Sequence, residues 1–104
     1  MNYYTRALQI FAIAIANELG DKEIVEKISK EMDEKALKDF IIEKKSAIST
    51  ELFFYGAGRV VEMLTISASA IGLDITDDLI AFENLVFGRE TAVPESEDNG
   101  KELS

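Results

Sequence analysis

Apolar residues recur along the chain at steps of three and four, the spacing of one face of a helix. Leu8, Phe11, Ala12, Ile15 and Leu19 form the first such row and predict a helix over about 2–19. Ile10, Ile13 and Ala14 spread its apolar surface around the cylinder, so several neighbours should cover it, and the alanines at 7, 12, 14 and 16 admit them closely. Ile24, Val25, Ile28 and Met32 predict a second helix, with Asp21 as the N-cap whose carboxylate accepts the free N–H groups of the first turn. At roughly 100° per residue, that stripe falls about half a turn out of phase with Leu37, Phe40 and Ile41, which places a break near Asp33.

Residues 34–71 contain no proline, and their first glycine is Gly56. One unbroken helix over that stretch would be roughly 57 Å long, against a radius of gyration near 13 Å for a compact domain of about a hundred residues. Either the helix breaks within 46–50, or a partner chain covers the ends of a long rod. A change of face favours the break: Leu37, Ile41 and Ile48 mark one azimuth as buried, whereas further on it carries Glu51, Tyr55, Glu62 and Thr65. Ser49 or Thr50 can cap the new helix, with Glu51 in its positive first turn. A last helix over 76–87 has Thr76 as its N-cap and Asp77 and Asp78 in its first turn. Ile75 and Ile80 have the spacing of a hydrophobic staple, and Leu79, Phe82, Leu85 and Val86 make the buried face. Gly20, Gly72 and Gly88 stand just past three of these helices, where a left-handed residue closes the last turn.

The expected fold is all-α: a compact bundle of four or five helices over 1–88, centred on the first helix, the 50–71 helix and the 76–87 helix. A disordered acidic tail is expected over 89–104, where Thr, Pro, Ser, Glu, Asp and Asn leave little to bury. Arg6, the apolar run 10–16 and Ala14-Ile15-Ala16 outline a signal peptide, but Gln9 interrupts the run and a single basic residue precedes it, so a buried first helix is expected instead. No run approaches the ~18 apolar residues of a membrane span. A cytoplasmic location is the expectation.

Composition removes whole classes of chemistry. The chain has no cysteine and no histidine, which excludes disulfide scaffolds, zinc fingers, thiol catalysis and a Ser/His/Asp triad. No cofactor and no metal are expected. Twenty acidic residues against eleven basic ones leave a net charge of -9, which opposes attraction to phosphate backbones and anionic membranes and favours a basic protein surface.

The segment 50–71 is the most informative. Glu51, Tyr55, Gly58, Glu62, Thr65 and Ser69 follow a 4-3-4-3-4 spacing along one helix face, with Arg59 at its edge, while the other sides are apolar. One reading is a polar cleft in which Arg59 binds an anion and Glu51 or Glu62 holds a cation or accepts a proton. The plainer one is a solvent face with a local ion pair worth a few tenths of a kcal/mol. Glu51 and Glu62 lie roughly 16 Å apart along a helix and cannot share one metal or proton. Gly56-Ala57-Gly58 superficially matches a dinucleotide-binding turn, but the third glycine of that fingerprint falls on Val61. Small residues at Gly56, Ala57, Gly58, Ser67, Ala68 and Ala70 read better as a notch for a neighbouring helix or an interface; a kink and ligand approach are the alternatives. Asp74, Asp77 and Asp78 do not have EF-hand spacing and read as capping residues. A helix ending in Gly72-Leu73-Asp74-Ile75 before a short helix resembles the C-terminal part of all-α nucleotide pyrophosphohydrolases over a third of the chain. The metal-binding E-x-x-D pair of those enzymes falls here on Gly56 and Arg59, so membership is not assigned.

Two helices apolar on nearly all sides are much for so small a domain to cover alone, which predicts a homo-oligomer, in the first place a dimer. The functional expectation is a non-enzymatic, acidic protein-interaction module, an adaptor or an inhibitor of a partner protein. The alternative is a binder or hydrolase of a small anionic ligand such as a nucleotide, in an interhelical cleft lined by Tyr55, Arg59 and Glu62. A DNA-binding regulator ranks last because basic residues are scarce.

Overall fold

The computed structural model describes residues 2–88, which form five α-helices and no strand. They are α1 (Tyr3–Leu19), α2 (Lys22–Lys30), α3 (Glu34–Lys44), α4 (Thr50–Ala70) and α5 (Thr76–Phe87), with a 3-10 turn over Lys45–Ala47 between α3 and α4. The acidic tail expected over 89–104 lies outside the described residues. Among the described residues no helix is long and apolar enough to cross a membrane.

Four helices start where a side chain takes over an orphan N–H group. Asn2 accepts from Thr5 N at 2.7 Å, Asp21 from Ile24 N at 3.1 Å, Asp33 from Ala36 N at 2.9 Å and Ser49 from Leu52 N at 3.1 Å. The break near Asp33 and the second one within 46–50 are both present, each followed by such a cap. The fifth helix starts differently. Thr76 is its first residue rather than its cap, because the Asp74 carboxylate two residues upstream accepts both the Thr76 N–H (3.0 Å) and the Thr76 hydroxyl (2.7 Å). The frame of the expected staple shifts with it: Ile75 is buried while Ile80 stands exposed.

Two helix ends close in the same way. Gly20 and Gly72 adopt φ of 75° and 70°, and the residues after them, Asp21 and Leu73, donate back to Ala16 O at 3.0 Å and Ala68 O at 2.9 Å. That six-residue closure needs a left-handed residue, which glycine supplies without a Cβ clash.

Of the three helices expected at the centre, α1 has the most neighbours. It packs against each of the other four, while α4 packs on α1 and α5, and α2 and α3 lie mainly on α1. Ala7, Ala12 and Ala16 are fully buried on α1 and let its neighbours approach. Phe11 occupies the middle, its ring edge-on to Phe53 of α4 (centroids 5.0 Å apart) and to Phe82 of α5 (5.7 Å). The aromatic row runs on through Phe54 to Phe87, and the Lys45 ammonium lies 5.4 Å above the Phe53 ring, tying the 3-10 turn to α4. At one end of the bundle Asp78 of α5 accepts the Tyr3 N–H at 3.1 Å, so one carboxylate faces the positive starts of both α1 and α5.

Candidate functional site

Helix α4 is not wrapped on nearly all sides. Phe53, Ala57, Val60, Leu64 and Ala68 face the core, and Phe54 and Val61 are half-buried beside them. Among the described residues the opposite half of the helix is open: α2 and α3 lie mainly on α1, and no other helix packs there. On that half Leu52, Tyr55, Met63 and Ile66 are 38%, 67%, 44% and 64% exposed. Glu51, Gly58, Thr65 and Ser69, from the polar row, are exposed as well. Arg59 donates to Glu62 at 3.1 Å in the middle of this surface, with both side chains more than half exposed. Such a pair contributes only about 0.3–0.5 kcal/mol.

The open face differs from those of the shorter helices. The surfaces of α2 and α3 are dense in charge, through Glu26, Lys27 and Lys30, and Lys35, Asp39 and Glu43. In the 21 residues of α4 only Glu51, Arg59 and Glu62 are charged. The sequence displays both the polar row and the apolar residues beside it, but Leu52, Met63 and Ile66, expected to be covered, are exposed. Leu52, Met63, Ile66 and Ala70 stand at helical steps one position over from Glu51, Glu62, Thr65 and Ser69.

Of the three residues expected to line an interhelical cleft, one does. Tyr55 borders a groove of about 100 Å³ between α1 and α4, with Phe11, Ala14, Ile15, Glu18, Ile48, Leu52 and Gly56. Arg59 and Glu62 do not line it; they stand on the outer surface, and Glu51 is exposed near the start of α4. A second groove of about 330 Å³ runs between the C-terminal half of α4 and α5 and takes in Thr65, Ser69, Asp74, Thr76 and Glu83. Its charged groups are both carboxylates, which disfavours an anion there. Among the described residues no group of three or more acidic, histidine or cysteine side chains is placed to hold a metal ion.

The small residues divide between inside and outside. Ala57 and Ala68 are buried, and a methyl group at Gly56 would stand 3.3 Å from Phe11 Cε1. Gly58, Ser67 and Ala70 are exposed, and nothing lies within 4 Å of a methyl group at Gly58. Gly58→Ala is therefore expected to stabilise the protein by about 1 kcal/mol, the helix-propensity difference. Gly56→Ala should fall short of that gain, because Phe11 is held on two sides by other rings. Urea denaturation of the two variants side by side checks this; equal gains would show that Phe11 has room to move.

The loop before α5 has one perturbed carboxyl group. The hydrogen bond from the Thr76 hydroxyl, and then that from the Thr76 N–H, hold the Asp74 carboxyl below its ordinary 3.8. A carboxyl depressed in the folded state stabilises it above pH 3.8, and that contribution disappears as pH falls through the lower folded value. Carbon-detected NMR titration should find Asp74 titrating below 3.8 in the native protein and moving back up in Thr76→Ala. An Asp74 titration unmoved by that substitution would refute the assignment.

No protein-family model, curated protein or solved structure matches this chain.

Proposed function

We propose that this chain is a non-enzymatic protein-interaction module that works as a homodimer, an acidic adaptor or inhibitor acting on a partner protein with a basic surface. The observation that supports it is the open half of α4, where Leu52, Tyr55, Met63 and Ile66 lie exposed along one helix with little charge among them. A single exposed leucine needs no explanation, but a row of large apolar residues along one face marks a place where another macromolecule binds. The net charge of -9 supports a basic partner for the rest of the surface. The chemistry of the chain supports the non-enzymatic side of the reading, since neither histidine nor cysteine is available as base or nucleophile. Light scattering coupled to size-exclusion chromatography at micromolar concentration should return twice the chain mass of 11.6 kDa. A mass of 11.6 kDa across that range would overturn the homodimer.

A further inference from the structure

We infer that the second copy docks antiparallel on α4, about a two-fold axis passing between Val60 and Val61, with Arg59 of each chain facing Glu62 of the other. This rests on the homodimer reading and adds the surface, the direction and the register. The open face is self-complementary about that axis. Turning the helix end for end sets Arg59 against Glu62, Tyr55 against Ile66, and Leu52 against Ser69 and Ala70. Leu52 thus meets small residues, Tyr55 and Ile66 make an apolar contact on each side of the axis, and the two central charges meet their opposites.

The alternatives fare worse. A parallel two-fold pairing puts every residue opposite itself, so Arg59 meets Arg59 and Glu62 meets Glu62, an arrangement that repels. A parallel pairing shifted by three residues would restore Arg59 to Glu62 on one side only, and it would not close as a two-fold dimer. An antiparallel pairing centred on Arg59 sets the two guanidinium groups at the same height. In the inferred register the existing Arg59–Glu62 pair, 3.1 Å apart in each chain, needs no dismantling. Two arginines and two glutamates form a neutral cluster at the axis, flanked on both sides by apolar contact.

Charge exchange tests the register. Arg59→Glu and Glu62→Arg should each weaken the dimer by about a hundredfold, because each places four like charges at the axis. An equimolar mixture of the two variants should associate again, since a chain with two acids then faces a chain with two bases. Both positions are exposed in the single chain, so helical content by circular dichroism should not change, and recovery in the mixture itself shows that each variant folds. Because the chain has no cysteine, Leu52→Cys and Ala70→Cys introduce unique thiols. A short bis-maleimide should join Leu52→Cys to Ala70→Cys in a mixture and should join neither variant to itself. A dimeric wild type whose two charge variants remain dimeric overturns the α4 surface and leaves the homodimer reading standing. Variants that dissociate but do not re-form in the mixture, or self-linking of either thiol variant, overturn the antiparallel register. A monomeric wild type overturns this inference and the homodimer together.

Discussion

Phe11→Ala is expected to cost about 3–5 kcal/mol, the range for truncating a buried aromatic residue. The reason lies in what the ring touches. It is 1% exposed, stands edge-on to both Phe53 and Phe82, and fills the space against Gly56. Its removal leaves a cavity where α1, α4 and α5 meet, and a collapse there would have to move three helices at once. Domains of this size are stable by about 5–15 kcal/mol, so one substitution removes a large share. With a urea dependence of about 1–1.5 kcal/mol per molar, the unfolding midpoint should fall by roughly 2–5 M. Phe54→Ala is the comparison, since that ring is only half-buried and its loss should cost less. Midpoints that fall equally in the two variants would contradict the central placement of Phe11. Protein concentration has to be the same in all samples, because a dimer adds its own stability by mass action.

The second large effect comes from adding volume rather than removing it. Ala12 is fully buried on the face of α1 against which other helices pack. Ala12→Leu should destabilise by about 2–3 kcal/mol, since interiors packed like crystals absorb extra methylenes only by displacing backbone or forcing strained rotamers. Leucine is a good helix former, so the loss cannot come from propensity. Ala14→Leu, an exposed position on the same helix, should change stability by less than about 0.5 kcal/mol. Thermal unfolding of the pair separates crowding from any general effect of leucine on α1; similar melting temperatures would argue against close packing at Ala12.

Local signals were readable in the chain itself, and long-range ones were not. Asp21 as a cap, the break near Asp33 and a cap at Ser49 or Thr50 could be read because capping is decided within four residues; Asp21, Asp33 and Ser49 each accept the N–H group three residues on. Gly20 and Gly72 were legible for the same reason. Thr76 was not, although the competition is also local: the Asp74 carboxylate two residues earlier accepts both the Thr76 N–H and its hydroxyl, and Ile75 takes the cap position. The larger gap concerns α4. Periodicity describes how apolar residues are distributed around a helix, but it does not count the neighbours that arrive. Leu52, Met63 and Ile66 have the residue types of a core, and whether they become one depends on where α2 and α3 go. Those helices dock on α1, a choice written in the matching of surfaces far apart in sequence. The polar row through Glu51, Tyr55, Glu62, Thr65 and Ser69 was visible as a row, but its neighbours had to be seen before it could be read as one edge of an open face.

The position of α1 bears on how the protein is made. The helix that touches all the others is made before them, and Phe82, which closes the far side of Phe11, follows about seventy residues later; at about 5–20 residues per second the nascent helix waits roughly 4–14 s for that contact. During this interval its greasiest surface has no permanent cover. Vectorial synthesis therefore leaves α1 without its full cover while the later helices are made, and holding factors that shield emerging hydrophobic segments should find a target in it.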